Sequence, residues 1–203
     1  MKIEMDDLII RNFDIEDEND LCEYMLQRVD AEFESYPNFT PEKAKEEIVI
    51  RSKSDEFFAI EFKKTHKVIG NIYLGKRNFN TRELGFVLNV NYQNKGYGSI
   101  ASKTMLDFAF KKGIHRIYAE CAPQNIPSWK VMERVGLKRE AHFEKNVSFH
   151  NDDKGNPIYW DTYVYAAINP NENDVNGKMN PSLSDDLWAT WEVNVATIYM
   201  SEI

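Results

Sequence analysis

The sequence predicts an α/β (α+β) domain over residues 1–168, with a mixed sheet of about seven strands flanked by about four helices, followed by a C-terminal extension over residues 169–203. Three observations carry this expectation. Three strand-like runs between Phe57 and Val90 are joined only by short polar turns. Such joints make an antiparallel meander, because parallel neighbours need a crossover of a dozen or more residues. After Gly96 the apolar period changes from that of a strand to that of a helix. From Asn169 the composition shifts to Asn, Asp, Ser and Pro.

Leu8–Phe13 reads as the first strand. Asp14 is placed to cap a helix running to about Arg28, with Leu21, Cys22, Tyr24 and Met25 on its inner face. Thr40-Pro41-Glu42 opens a second helix that ends near Ser52: a capping hydroxyl, a proline in the first turn, then an acid near the positive end of the dipole. The meander strands are Phe57–Phe62, Val68–Gly75 and Glu83–Val90. Ile100, Ala101, Met105, Phe108 and Ala109 then recur at helical spacing until Gly113. His115–Cys121 reads as a strand and Pro127–Val135 as a helix closed by Gly136. Leu137–Phe149 and Tyr159–Ile168 form a strand pair about the turn Asn151–Pro157. Parallel crossover is expected only around the helix near residue 100.

Asn169–Asp186 reads as a linker, and Leu187–Ile203 turns apolar again. Trp188, Trp191, Val195, Ile198 and Tyr199 suit a helix, whereas Trp191, Val193 and Val195 alternate as in a strand. Either form is expected to dock on the domain or on a partner subunit, as a lid, a cap or the arm of a homodimer.

Composition narrows the function. Hydrophobic residues make up 42% of the 203 and aromatics 13%, enough for a real core. Lys and Arg total 25 against 33 Asp and Glu, a net charge of −8. That balance argues against a nucleic-acid partner, which needs a basic face, and favours a cationic one. Cys22 and Cys121 lie far apart and the histidines are scattered, so neither a disulfide framework nor a metal site is expected. Glu4, Asp6 and Asp7 fall where a signal peptide needs an apolar run, and no apolar stretch approaches the roughly 20 residues of a membrane helix. A cytoplasmic location without membrane contact is the expectation.

Gln93-Asn94-Lys95-Gly96-Tyr97-Gly98 joins a strand to a helix. Glycines there let backbone N–H groups approach a ligand, and a helix N-terminus offers orphan donors at the positive end of its dipole, a combination suited to diphosphate. Lys95 is placed to add a charge to an outer phosphate. A ligand-free glycine turn is one alternative. A dinucleotide fingerprint is another, since Gly96-x-Gly98-x-x-Ala101 fits its form with Glu120 at about the right distance. That fingerprint belongs in the first βαβ unit of a parallel sheet, however, and here an antiparallel meander precedes it.

At this loop the sequence resembles the GCN5-related N-acetyltransferase (GNAT) superfamily, whose hallmark is Gln/Arg-x-x-Gly-x-Gly/Ala between a strand and a long helix. The chain carries Gln93-x-x-Gly96-x-Gly98 there. Asn125-Ile126-Pro127-Ser128 followed by Val135-Gly136-Leu137, with Asp161 and Tyr163 in the last strand, resembles the branch of ribosomal-protein-alanine acetyltransferases (RimJ/RimL type). The likeness covers roughly residues 7–168; Leu137 stands where Phe is commoner.

The resemblance implies a sheet splayed open at Glu83–Leu88 and an acetyl-CoA cosubstrate without metal. It also implies direct acetyl transfer to a primary amine in a ternary complex. Peptide N-termini, polyamines, amino acids and aminoglycosides are all acceptors that an acidic, aromatic cleft would suit. The implied cosubstrate-binding residues are Leu88, Val90, Gln93, Asn94, Lys95, Gly96, Tyr97, Gly98, Ser99, Asn125 and Ser128. A backbone N–H near Leu88–Val90 would polarise the thioester carbonyl. Glu83 is the first candidate base, with Asp161 as a second that would otherwise hold a loop or the substrate ammonium. Ser128 is the candidate proton donor to the leaving thiolate, or else a helix-start residue. Asn125 would bond the pantetheine amide or shape the helix entry. An acyl-CoA-binding sensor without turnover remains the alternative from another functional class.

Overall fold

The computed structural model describes residues 1–28 and 39–170. Its eight-stranded sheet runs in the order β1-β2-β3-β4-β5-β6-β8-β7. The strands are β1 Lys2–Glu4, β2 Leu8–Asn12, β3 Phe57–Phe62, β4 Lys67–Arg77, β5 Thr81–Leu88, β6 Arg116–Cys121, β7 Lys138–Asn151 and β8 Pro157–Ile168. The helices are α1 Glu18–Leu26, α2 Pro41–Ser52, α3 Tyr97–Lys111 and α4 Ile126–Arg134. Every strand pairing is antiparallel except β5–β6, which brackets α3. That single parallel pair removes the doubly wound context a dinucleotide fingerprint requires.

Alternation along the strands assigns each face. Ile10, Ile60, Ile72, Leu84, Ile117 and Tyr165 join Ala101, Met105 and Ala109 of α3 and Met132 of α4 in the larger core. Ala59 and Val68 face the other way, into a smaller core with Leu21, Tyr24 and Met25 of α1 and Ala44 and Ile48 of α2. Burying each large aliphatic side chain contributes about 1.5–3 kcal/mol, so the two layers hold the sheet between them.

Thr40 caps α2 as its sequence implies, its Oγ1 accepting from Lys43 N at 3.2 Å. Three departures from expectation have a local cause. β1 was not anticipated: three residues with exposed ends carry no amphipathic signature, and pairing with β2 defines them. Asp14 caps a short 3-10 turn, Ile15–Asp17, before α1 begins, because the Asp17 carboxylate turns back to Asp14 N and to Arg11. The third meander strand stops at Leu88 rather than Val90: Asn89 Oδ1 accepts from Asn91 N and closes a 3-10 turn over Val90–Tyr92.

Asn169, expected to begin a linker, is buried, and its Nδ2 donates to Phe110 O and Ile114 O at 2.9 Å each. The expectations for the rest of the extension, and for Arg28's neighbours up to residue 38, lie outside the described residues. Among the described residues no helix is long and apolar enough to cross a membrane.

Candidate active site

The site is made by a divergence in the sheet. β5 and β6 pair only over Thr81–Glu83 with Arg116–Tyr118. Beyond that point β5 stays with β4 up to Leu88, and β6 stays with β8 up to Cys121. The two parallel strands therefore open into a V towards their C-terminal ends. A bulge in β4 opposite Ile60/Glu61 supplies a local bend beside it.

Asn89 N donates to Ile69 O at 2.8 Å. By the alternation of an antiparallel ladder, Phe86 and Leu88 then turn their main-chain groups away from β4, into the V. Leu88 O accepts from Gln93 Nε2 at 3.2 Å, which leaves Leu88 N–H as the donor facing the opening. Gly70 makes this register possible. A Cβ there would stand 2.2 Å from Val87 O and 3.0 Å from Leu88 Cα, so only glycine lets β4 approach so closely.

Nine residues after Leu88, the chain enters α3 at Tyr97. Asn94 (φ 60°) and Gly96 (φ 82°) both adopt the left-handed region, and Gly96 is the N-cap without a side chain to offer. The first turn of α3 contains no acidic residue. Among the described residues, no protein acceptor takes the N–H groups of Tyr97, Gly98 or Ser99. These are orphan donors at the positive end of a helix of 15 residues. The chemistry of this donor set fits a diphosphate, and the V beside it fits an extended chain reaching Leu88.

A family model for the acetyltransferase (GNAT) domain matches residues 7–138. The chain belongs to the GNAT acetyltransferase family. It is 38% identical over 168 residues to the uncharacterized N-acetyltransferase YnaD of Bacillus subtilis (strain 168), covering 79% of this chain and 93% of that protein. The crystal structure of a GNAT-family acetyltransferase from Bacillus anthracis superposes with a TM-score of 0.75 at 32% identity, covering 83% of this chain and 99% of the other. RimL, a ribosomal L7/L12 α-N-protein acetyltransferase solved in complex with coenzyme A, superposes with a TM-score of 0.71 at 16% identity over 83% and 98% of the two chains. At that identity the likeness is one of fold.

In this GNAT chain the sequence-expected residues fall into two groups. Leu88 and Gln93–Ser99 come together at the mouth of the V. Tyr97 turns its ring inward against Phe62, with centroids 5.8 Å apart, so it offers only its main chain. Lys95 points away from the loop: its Nζ donates to Asn91 O at 2.9 Å and lies 5.2 Å from the Tyr92 ring. Val90 N–H is already engaged, donating to Gln27 Oε1 at 2.9 Å, which leaves Leu88 N–H as the donor of the pair that faces the opening. Gln27 Nε2 also reaches Asn89 Oδ1 at 3.3 Å, and Asn89 Nδ2 donates to Glu23 Oε1 at 2.7 Å. The end of α1 is thus stitched to the strand end that carries Leu88.

Asn125 caps α4, its Oδ1 accepting from Ser128 N at 3.3 Å, so its side chain shapes the helix entry. Ser128 is held in the first turn, near the Cys121 thiol. Burial pushes that thiol up to about 11, with the neighbouring Ser128 opposing, so Cys121 is a protonated, half-buried neighbour rather than a nucleophile.

Glu83 stands at the closed end of the V on the α1/α2 face. Its Oε2 bonds Arg77 Nη2 and accepts from Tyr118 OH at 3.3 Å. Asp161 lies by strand alternation on the opposite face from Glu120. Its carboxylate accepts from Lys145 N at 2.9 Å and pairs with His142 Nε2 at 2.7 Å, and these two bonds hold it below the usual carboxylate range. Both bonds tie it to the β7–β8 hairpin.

Sequence reasoning did not single out Glu120 as a candidate acid–base group. It follows Tyr118 on the same face of β6, two residues nearer the open end than the last β5 pair. Desolvation first, and the nearby Glu83 charge second, push its carboxyl above the ordinary range. With Tyr118, Arg77, Glu140 and Phe143 it lines a cleft of about 580 Å³. The polar series Arg116, Tyr118, Glu120, alternating with buried Ile117 and Ala119, was the available signal. Among the described residues no cluster of three or more His, Cys, Asp or Glu is arranged to hold a metal ion.

Proposed function

We propose that this chain is a cytoplasmic enzyme that transfers acetyl from acetyl-CoA directly to a primary amine, on a protein N-terminus or a small molecule, in a ternary complex. The observation that carries this reading is the V between β5 and β6, with a diphosphate-type donor set at its mouth and a cleft along β6 that holds the Glu120 carboxyl. The superposition with RimL, solved with coenzyme A, supports the cosubstrate.

The N–H groups of Gly96–Ser99 hold the diphosphate, and Leu88 N–H donates to the thioester carbonyl oxygen as it gains negative charge. An amine with an ordinary pKa of about 8–10 enters protonated and must lose a proton first. Glu120 accepts it, directly or through water, with Glu83 beside it sustaining the local negative charge. The amine nitrogen then bonds to the carbonyl carbon, the C–S bond breaks, Ser128 donates a proton to the thiolate, and the proton that the nitrogen sheds on becoming an amide restores the Ser128 hydroxyl. No residue is acylated.

Calorimetric titration with acetyl-CoA, then with NAD, tests the reading, followed by thiol release across a panel of primary amines. Affinity of about micromolar order for acetyl-CoA, with amine-dependent thiol release, is expected. Binding without release from any amine would move the chain to a sensor role. Absence of acetyl-CoA binding would refute the proposal.

A further inference from the structure

We propose that Arg134 is the phosphate-binding cation of the cosubstrate cradle, in place of the loop lysine Lys95. The proposal rests on the acetyl-CoA reading above and assigns a residue to it. Arg134 occupies the last turn of α4, and its Nη1 donates to Ser99 Oγ at 2.8 Å. Ser99 is the third residue of α3, so a guanidinium stands beside the orphan N–H groups of that helix. Val131, one turn earlier in α4, comes within 4.0 Å of where a Gly98 Cβ would be, which places the same stretch of α4 against the first turn of α3.

The electrostatics of this arrangement are incomplete without an anion. A cation next to a helix N-terminus faces the positive end of the dipole. Lys130, four residues before Arg134, shares its face of α4, and like charges at that spacing repel. Its Nζ lies over the Trp129 ring, and among the described residues no carboxylate pairs with Lys130 or Arg134. Lys103, also on α3, is by contrast neutralised by Asp107 four residues on. Arg134 spends one of its five donors on a neutral hydroxyl, and the rest of its fork is exposed. A planar fork of free donors beside main-chain N–H groups matches the bidentate geometry of phosphate. In a chain of net charge −8, such a local concentration of uncompensated positive charge is what a polyanionic cosubstrate requires.

The experiment titrates wild type, Arg134→Ala and Lys95→Ala with acetyl-CoA and with 3′-dephospho-CoA by calorimetry, at two salt concentrations. Arg134→Ala is expected to weaken acetyl-CoA about 10- to 100-fold and to flatten the salt dependence, as losing a charge-assisted hydrogen bond should. Lys95→Ala is expected to stay within about threefold. Equal weakening for both ligands assigns Arg134 to the diphosphate, and weakening confined to the 3′-phosphorylated ligand assigns it to the ribose phosphate. Arg134→Gln, which keeps a donor for Ser99 without the charge, should bind as weakly as the alanine variant. It serves where the alanine variant melts early. Unchanged affinity in a folded Arg134 variant overturns the proposal and leaves Arg134 as a helix-end residue. Failure of the wild type to bind acetyl-CoA would instead overturn the cosubstrate reading itself.

Discussion

Replacing Glu120 by glutamine keeps the side-chain shape and removes the proton acceptor. Positioned general bases contribute about 10²- to 10⁴-fold, or roughly 3–5.5 kcal/mol of transition-state stabilisation. The structure narrows that range. Glu83 lies on the neighbouring strand and interacts with Glu120 by charge, so one carboxylate remains when the other is removed. But Glu83 is tied to Arg77 and Tyr118 at the closed end of the V, and it substitutes poorly. A fall of about 10²- to 10³-fold in kcat/KM is therefore expected for Glu120→Gln, approaching 10⁴-fold only in the double variant. Acetyl-CoA affinity should stay within about twofold, because Glu120 is on the acceptor side. The wild-type rate should show an acid limb as Glu120 protonates. Burial and the Glu83 charge hold that limb above the ordinary carboxylate range, so Glu83→Gln should shift it to lower pH. Thiol release with the best amine of the panel, measured across pH, reads all three effects. If Glu120→Gln retains half the wild-type kcat/KM, or the acid limb ignores Glu83, the assignment is wrong.

Three further outcomes test the framework. Gly98→Asp should cut acetyl-CoA affinity by at least about 100-fold in calorimetry on protein shown folded by circular dichroism. A Cβ there already lies 3.3 Å from Leu88 Cδ1, and the added carboxylate would oppose the phosphate charge. Gly70→Ala should cost about 3 kcal/mol or more in urea unfolding, because the atoms its Cβ meets are main chain and have no rotamer to escape into. Arg11→Met should cost about 3–5 kcal/mol, since Arg11 bridges Asp17 at 2.7 Å and Glu61 at 2.6 Å and both partners are nearly buried. Desolvation alone would raise the Glu61 carboxyl, but hydrogen bonds from Arg11 and His66 outweigh it and hold it low. The stabilisation is therefore present above the unfolded value of about 4.3 and is lost as pH falls through the folded value, so the Arg11→Met deficit should shrink in acid.

What the sequence made legible follows the range of the interactions. The glycine loop, the caps at Thr40 and Asn125 and the antiparallel meander are written in residues close along the chain, and they fold where the pattern places them. β1 was illegible because three residues at a sheet edge have no period to read. Glu120 was visible as a polar strand residue, but its place in the proposed reaction comes from β5 leaving β6 at Glu83, a tertiary event. Arg134 lies 35 residues from Ser99 in sequence, and nothing local distinguishes it from any lysine or arginine near a helix C-terminus. The anchoring of Val90 by Gln27 spans 63 residues and is equally hidden.

The same long-range geometry resolves an apparent conflict between the charge of the chain and the charge of its proposed cosubstrate. An acidic protein repels a polyanion at long range, yet screening reduces that field within about 8–10 Å in ordinary salt. Local placement then decides. Glu120 projects to the α1/α2 face of the sheet, and in the proposed reaction its carboxylate is what a protonated amine meets there. Orphan N–H groups and Arg134 gather on α3 and α4, which pack on the other face. The sheet separates the two fields, and the V is the passage between them. In the proposed reaction an amine therefore meets the thioester where β5 and β6 part, beside the Glu120 carboxylate that would take its proton.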